Sequence, residues 1–213
     1  YFNIVGKYGM QVQSVLKKAS KLDIKTICPL HGPILRENLE HYINKYDIWS
    51  KYETESEGVY IACASIHGNT LKVCEKLKEI LEKKGAAKVV LADLSREDWA
   101  EAVEDSFRYG KIVFASATYD MGIFTPMRDL LLNLKEKNYQ NKKVAIIENG
   151  TWAPNAARCM KEIISTMKNA ASKIRCTFIA LLFHSPILYA VFDFLIPSII
   201  VFFEFHCQII NLI

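Results

Sequence analysis

Small polar residues follow the first apolar run of the chain, in a pattern that suits a phosphate site. Residues 59–64 are apolar, and the next six read Ser-Ile-His-Gly-Asn-Thr before an amphipathic stretch begins. Hydroxyl and amide groups, a glycine that lets the backbone approach closely, and the N–H groups of a helix start can together bind a phosphate dianion. The alternative is a plain polar turn with a helix cap. The candidate phosphate ligands are Ser65, His67, Gly68, Asn69 and Thr70.

Two missing motifs narrow the choice of phosphate ligand. The loop contains no Gly-Lys-Ser/Thr, which excludes the P-loop chemistry of nucleoside triphosphates. It contains no Gly-x-Gly-x-x-Gly either, which disfavours a dinucleotide pyrophosphate. Because the loop also lacks Lys and Arg, it suits a small monophosphate that is held by hydrogen bonds.

Two later loops each place one large aromatic residue among small polar neighbours. Tyr119 lies in Ser-Ala-Thr-Tyr-Asp-Met-Gly, and Trp152 lies in Asn-Gly-Thr-Trp-Ala-Pro. A planar ring system can rest against such faces while backbone groups bond its edge. An isolated surface Tyr or Trp usually serves packing, but two beside a phosphate site favour a planar phosphorylated ligand. The candidate residues here are Ser116, Thr118, Tyr119, Asp120, Gly122, Asn149, Gly150, Thr151 and Trp152.

Alternating strand and helix patterns must position these loops. Repeated strand–helix units with short connections predict an α/β fold with a doubly wound parallel sheet. Ligands of such sheets bind beyond the carboxyl ends of the strands. We expect Ser95 to cap the second helix of this series and Thr125 to cap the third. Four apolar runs predict the buried strands, at residues 59–64, 88–92, 112–117 and 144–147.

Composition and charge argue against several classes of function. The net charge is only +4, and basic and acidic residues alternate along the helical stretches, so a nucleic-acid partner is not indicated. The six cysteines show no C-x-x-C spacing, which indicates neither a zinc knuckle nor a disulfide framework. Cys63 and Cys74 fall on apolar stripes and are expected to be buried thiols, as suits a reducing cytoplasm.

The three loops together resemble the FMN-binding loops of flavodiiron proteins, also called A-type flavoproteins. The motifs that carry the resemblance are S-I-H-G-N-T, S-A-T-Y-D-M-G and E-N-G-T-W-A-P, in this order and at the predicted strand ends. The family has a flavodoxin-like domain behind a metallo-β-lactamase-like diiron domain. The resemblance implies three roles. The FMN phosphate is bound by Ser65, His67, Gly68, Asn69 and Thr70; the ribityl chain and ring are flanked by Ser116, Thr118, Tyr119 and Gly122; and the other side of the ring is closed by Asn149, Gly150, Thr151 and Trp152.

The resemblance also implies an activity and partners. In the complete family protein, electrons enter from rubredoxin or a similar donor and pass through FMN. They reach a diiron site on the partner subunit of a head-to-tail homodimer, where dioxygen or nitric oxide is reduced. Asp120 stands where a neutral residue is more usual, and its carboxylate is expected to lower the reduction potential of the flavin.

The first 52 residues do not belong to the predicted sheet. They carry two amphipathic helical patterns, at 12–22 and 39–49, separated by Cys-Pro-Leu-His-Gly-Pro. From the residues alone, His31 has either a structural role or a metal-binding one. The resemblance identifies this segment as the end of the diiron domain and His31 as its last iron ligand. The other ligands of the family lie upstream of Tyr1, so we expect this fragment to lack a complete iron centre.

Residues 177–213 are almost entirely apolar and allow three interpretations. A membrane span is disfavoured because Asp193 and two prolines interrupt it. A fifth strand within residues 176–183 is the second interpretation. The third, which we favour, is a frameshifted or misjoined end whose composition reflects the nucleotide sequence.

The sequence therefore predicts four segments. Residues 1–52 are the remnant of the diiron domain, 53–58 a linker, 59–175 the FMN domain and 176–213 an aberrant tail. The favoured function is the electron-transfer module of a flavodiiron reductase. A stand-alone flavodoxin-type electron carrier is the alternative, and a membrane-tethered flavoprotein is a third possibility if the tail is genuine.

Overall fold

The structure, a computed structural model, describes residues 1–150, 153–167 and 178–181. Helices and strands alternate from Ser56 onward, as the apolar runs predict. The elements in chain order are α1 (Phe2–Val5), a 3₁₀ turn (Gly6–Tyr8), α2 (Gly9–Ala19), α3 (Leu39–Ser50), β1 (Ser56–Ala64), α4 (Asn69–Lys83), β2 (Val89–Asp93), α5 (Trp99–Arg108), β3 (Tyr109–Tyr119), β4 (Gly122–Ile123), α6 (Thr125–Glu136), β5 (Lys143–Asn149), α7 (Ala156–Ser165) and β6 (Phe178–Leu181).

The strands form one sheet in the order β2-β1-β3-β5-β6, and all neighbours along this path are parallel. The short strand β4 pairs with the end of β3 in an antiparallel hairpin. The chain leaves β1 toward β2 on one side and then crosses to β3 on the other. The loops after β1 and β3 therefore diverge and leave a crevice at the carboxyl edge of the sheet. This order confirms the predicted flavodoxin-like, doubly wound α/β fold.

Successive side chains of β1 point to opposite faces of the sheet and enter two separate cores. Tyr60 and Ala62 belong to the larger core, which α5, α6 and α7 cover. Ile61 and Cys63 belong to the smaller core, where α4 contributes Cys74. Both thiols are fully buried, as the sequence predicts. A hydrogen bond with Cys74 and burial raise the pKa of Cys63, so the Cys63 sulfur behaves as a packing group.

The predicted cap of α5 was wrong. The N-cap is Asp98, whose carboxylate accepts hydrogen bonds from the backbone N–H groups of Ala100 and Glu101. Ser95 instead donates its backbone N–H to the carboxylate of Asp93, which holds the chain in a turn before the helix can begin. A carboxylate at the helix start also interacts favourably with the helix dipole, so Asp98 is the better cap.

The prediction for the cap of α6 was also wrong, by one residue. Thr125 is the first residue of the helix, and the N-cap position is Phe124, which makes no side-chain capping bond. Pro126 sits within the first turn, where its missing N–H has no helical partner to lose.

The two helical patterns of the first 52 residues form α2 and α3, as predicted, and this N-terminal segment packs on α5. The ring of Phe2 stacks on that of Phe107 with centroids 4.0 Å apart. The hydroxyl of Tyr52 donates to the carbonyl of Gly6 at 2.8 Å. The N-terminal segment therefore shares the larger core of the sheet.

The predicted linker at 53–58 is hydrogen-bonded both to α3 and to the end of α5. Its last residues begin β1. The carboxylate of Glu55 accepts hydrogen bonds from Lys45 and Trp49 of α3. Its backbone N–H donates to the carbonyl of Arg108 at the end of α5. The ammonium group of Lys142, which is only 3% exposed, donates to the carbonyl oxygens of Phe107 and Glu53.

Part of the apolar tail joins the sheet. Residues 178–181 form β6, with Ile146 opposite Phe178 and Asn149 opposite Leu181. This is the strand that the second interpretation of the tail predicted. The rest of residues 176–213 lies outside the described residues. Among the helices that the structure describes, none is long and apolar enough to cross a membrane.

Candidate functional site

The three predicted loops all leave the carboxyl edge of the sheet from adjacent strands. The first follows β1, the second follows β3 and the third follows β5. The side chain of Asn149 donates to the hydroxyl of Thr70 at 3.4 Å, which joins the third loop to the first. The parallel register therefore brings together residues that lie 79 positions apart in the sequence.

The first loop buries one hydroxyl that has no partner. Ser65 is 8% exposed, and its Oγ makes no hydrogen bond with the residues that the structure describes. Thr70 is 2% exposed at the first turn of α4, whereas His67 and Asn69 are exposed. The first helical bond of α4 runs from the N–H of Lys72 to the carbonyl of Gly68, so the helix start turns its preceding N–H groups toward this loop.

Gly68 gives the first loop its shape. Its φ of +82° lies in the left-handed region, and a Cβ atom added there would meet nothing within 4 Å. Only glycine adopts this conformation at little cost. The first loop thus combines open space beside Gly68, the start of α4 and the unpartnered hydroxyl of Ser65.

The second loop is a tight hairpin that connects β3 to β4. Its two central residues, Asp120 and Met121, have φ values of +47° and +56°, the combination that a type I′ turn requires. Tyr119 precedes the turn and is 53% exposed, with its ring 5.9 Å from that of Phe124 in an edge-to-face contact. Tyr119 pairs with the half-buried Gly122 across the hairpin.

Ser116 lies at the base of the second loop. It is fully buried, and its hydroxyl donates to the carbonyl of Ala117 at 3.0 Å. Ser116 is in register with Ala64, the residue that precedes Ser65 in the chain. Unlike the hydroxyl of Ser65, that of Ser116 already has a partner within the described part of the chain.

The third loop is packed against the second. Thr118 accepts hydrogen bonds from the backbone N–H groups of Asn155 and Ala156 at 3.0 and 3.1 Å. Glu148, which is 9% exposed, accepts the N–H of Ala157 at 2.9 Å. The N–H groups at the start of α7 are thereby used within the protein. The start of α4 is the better anion site of the two.

A separate cleft of about 340 Å³ lies on the other side of the hairpin, between α6 and α7. Tyr119, Asp120 and Gly122 of the second loop contribute to it, together with Arg128 and Glu162. Ser65 and Thr70 do not line this cleft. The cleft is therefore separate from the first loop.

Two predicted site residues, Thr151 and Trp152, lie outside the described residues. His31 is exposed in a bend between Ile27 and Leu35, which form a single antiparallel bridge. Within the described part of the chain, no three His, Cys, Asp or Glu side chains come close enough to hold a metal ion.

The donors of the first loop fit the phosphate of FMN. A buried serine hydroxyl without a partner is costly unless a ligand or water satisfies it. The open space at Gly68 would admit a phosphate oxygen against the backbone, and no Lys or Arg is needed for a group that hydrogen bonds hold. The residues of the first loop therefore fit the phosphate group of FMN.

Sequence reasoning missed two residues that shape the site, Glu148 and Asn155, and one that holds the N-terminal segment in place, Lys142. Glu148 ends an otherwise apolar strand, and a charged residue at the buried end of a strand is the signal that could have found it. Asn155 directly precedes α7, where an asparagine is a common cap residue. Lys142 has no such signal, because its buried position follows from contacts with a segment 89 residues away.

Comparison with known proteins supports the family resemblance, although no family model matches the chain. A nitric oxide reductase of Moorella thermoacetica is 25% identical over 174 residues, which is 79% of this chain and 42% of the reductase. A flavo di-iron protein of Thermotoga maritima matches in structure with a TM-score of 0.71 at 26% identity, over 87% of this chain and 46% of that chain.

A third similarity concerns the fold alone. Rubredoxin oxygen:oxidoreductase of Desulfovibrio gigas has a TM-score of 0.76 at 20% identity, over 89% of this chain and 47% of that chain. The present chain spans less than half of the length of each of these three proteins. In sequence and in fold the chain is therefore similar to flavodiiron proteins, the family that its three loop motifs resemble.

Proposed function

We propose that this chain binds FMN and transfers electrons as a module of a flavodiiron oxygen or nitric oxide reductase. The observation that carries the proposal is the buried, unpartnered hydroxyl of Ser65 at the mouth of the first loop. It lies beside a glycine with positive φ and before a 15-residue helix, and these are the parts of an anion site.

Each loop has a distinct task in this proposal. Residues 65–70 bind the phosphate through hydroxyl, amide and backbone N–H groups. The second loop, with Ser116, Tyr119 and Gly122, flanks the ribityl chain and the ring. The third loop closes the opposite side with Asn149 and Gly150, next to Thr151 and Trp152. When bound, FMN supplies one- and two-electron redox chemistry, and the protein holds it in place and sets its electrostatic surroundings.

The names of the similar proteins suggest the redox partners of this chain. The reductase of Desulfovibrio gigas is named for rubredoxin and oxygen, and that of Moorella thermoacetica for nitric oxide. We infer a rubredoxin-type donor for this chain, and a diiron site toward which His31 supplies one ligand. A head-to-tail homodimer would bring the flavin of one subunit close to the iron site of the other.

A stand-alone flavodoxin-type carrier is the second candidate. The packing of the N-terminal helices α1, α2 and α3 against the rest of the chain argues against a stand-alone carrier. Such a carrier needs only the flavodoxin-like part. Here the Phe2–Phe107 stack and the Glu55 hydrogen bonds fix the additional segment in place.

FMN binding is tested first with the purified chain and a matched pair of variants. The expected result is one FMN per chain for the wild type. Ser65→Ala removes a hydroxyl that has no partner among the described residues, so we expect it to weaken FMN binding by about tenfold without lowering the stability of the flavin-free protein. Ser20→Ala, an exposed position outside the sheet, serves as the control. A wild-type chain that binds no FMN overturns the proposal.

The reductase assignment needs a second measurement. Consumption of oxygen and of nitric oxide is followed with reduced rubredoxin as the donor. This chain is compared with a longer protein that also carries the upstream iron ligands of the family. We expect both proteins to bind FMN and only the longer protein to consume oxygen or nitric oxide. FMN binding without turnover in either protein would favour the carrier.

A further inference from the structure

The hydroxyl of Thr118 joins the second loop to the third. It accepts two backbone hydrogen bonds, from Asn155 at 3.0 Å and from Ala156 at 3.1 Å. Thr118 is the last residue but one of β3, directly before the hairpin turn. The two N–H groups belong to the N-cap and the first residue of α7. A strand residue thus replaces the local side-chain cap that this helix lacks.

The side chain of Asn155 makes the return connection. Its Nδ2 donates to the carbonyl of Met121 at 2.5 Å, while its Oδ1 accepts from Arg158 at 2.7 Å. Met121 has a φ of +56°, which the type I′ turn requires but which is unfavourable for an L-residue with a side chain. The Asn155 donor therefore helps to hold the carbonyl of a residue in a strained backbone conformation.

Gly150 allows the two loops to approach each other. A Cβ atom at this position would lie 3.0 Å from Cα of Pro154 and 3.1 Å from the hydroxyl of Thr118. The contact is closer than ordinary van der Waals packing, so glycine leaves just enough room. The loops are thus in direct contact as well as hydrogen-bonded.

We propose that Thr118 and Asn155 are positioning residues that lock the second loop and the start of α7 into one preformed wall of the FMN site. Resting on the FMN function proposed above, this inference gives Thr118 a task other than direct contact with the ribityl chain or ring. The hairpin and the start of α7 then move together. They have the same conformation with and without bound flavin.

The test uses substitutions that remove single hydrogen bonds in the full chain. Thr118→Val keeps the shape of the side chain and removes the acceptor, whereas Thr118→Ser keeps the hydroxyl and serves as the control. Asn155→Asp keeps the acceptor for Arg158 and the capping ability but removes the donor to Met121. FMN dissociation constants are measured by flavin fluorescence, together with amide hydrogen exchange of residues 119–122 and 155–157 in the flavin-free protein.

We expect each substitution to affect both loops and not only the loop that carries it. Thr118→Val and Asn155→Asp are each expected to weaken FMN binding by about tenfold and to speed exchange in both loops, while Thr118→Ser stays within about threefold of the wild type. Met121→Gly relieves the strained φ. It is therefore expected to restore binding in the Asn155→Asp background. Faster exchange confined to the substituted loop, with unchanged binding, overturns the inference.

The two proposals fail in different ways. If the wild type binds no FMN, the proposed function is wrong, yet the exchange rates still decide whether the loops are coupled. If the wild type binds FMN and the Thr118→Val variant binds it equally well, only the positioning role is wrong. Should Thr118→Val fail to fold, Asn155→Asp with and without Met121→Gly decides the question.

Discussion

The ring of Phe2 lies flat on that of Phe107, with the two planes 5° from parallel and the centroids 4.0 Å apart. Phe2 belongs to the N-terminal segment, and Phe107 lies in the last turn of α5. Both are almost completely buried. A single hydrophobic core thus spans the N-terminal segment and the flavodoxin-like part of the chain.

Phe2→Ala is expected to destabilise the whole chain rather than the segment alone. Loss of a buried aromatic side chain costs about 3 to 5 kcal/mol, since a cavity remains. Urea unfolding measures the free energy, with Ile4→Ala as the control because Ile4 is 57% exposed. The FMN dissociation constant is expected to stay within about twofold of the wild type. A loss of less than about 1 kcal/mol would show that the stack does not stabilise the chain.

The stability of the chain is expected to rise between about pH 8 and pH 10 because of Lys142. Burial lowers the pKa of Lys142 from 10.5 to about 8, although the nearby carboxylate of Glu55 opposes the shift. In this window the unfolded chain binds a proton that the folded chain has lost, so raising the pH favours folding. The full effect is on the order of 3 kcal/mol.

Lys142→Met isolates this contribution. Urea unfolding at pH 7.5 and pH 10 is compared for the wild type and the variant. Burial raises the pKa values of the Tyr60 and Tyr139 hydroxyls, and these groups are present in both proteins. An identical pH dependence in the two proteins would show that Lys142 is not the group responsible.

Gly68 and Gly85 form a matched pair at opposite ends of α4. Their φ values are +82° and +85°, and at both positions an added Cβ would meet nothing within 4 Å. Either change to Ala is expected to lower the stability of the flavin-free protein by about 1 kcal/mol through backbone strain. Only Gly68→Ala places a methyl group in the proposed phosphate site, so it alone is expected to weaken FMN binding, by tenfold or more. Equal binding by the two variants would place the phosphate elsewhere.

Asp120→Asn is expected to raise the reduction potential of the bound flavin. Asn tolerates the φ of +47° at this position, so the turn is preserved while one negative charge is removed. Because Asp120 is exposed, the shift is expected to be on the order of 10 to 20 mV and to shrink at high salt. Spectroelectrochemical titration measures it, with the distant Asp23→Asn as the control. An unchanged potential at low salt contradicts the expected effect of this carboxylate.

The order of helices and strands could be predicted because the apolar periodicity of each element is local. The buried positions of α4, including Cys74 and Leu77, follow from spacing alone. Capping was harder to predict, since Ser95 and Asp98 are both good cap residues and only the backbone turn after β2 decides between them.

The loops that make up the site could be located from the sequence, but not their internal bonds. Ser65 could be named as a phosphate ligand, whereas its lack of a partner depends on how β1 and α4 pack. Thr118 could be assigned to the second loop, but its bonds to Asn155 and Ala156 join positions 37 and 38 residues apart. Such contacts depend on the register of the sheet, which no local pattern contains.

The hydrogen bonds of Glu55 and Lys142 determine how the N-terminal segment moves in solution. Because α3 is bonded to Glu55 and the chain then enters β1 directly, the segment cannot swivel without breaking buried contacts. Backbone amides of α3 and β3 are therefore expected to report one common rotational correlation time in nuclear relaxation. The N-terminal segment would tumble as part of one rigid body with the sheet, so that any partner bound to it keeps a constant orientation toward the three loops.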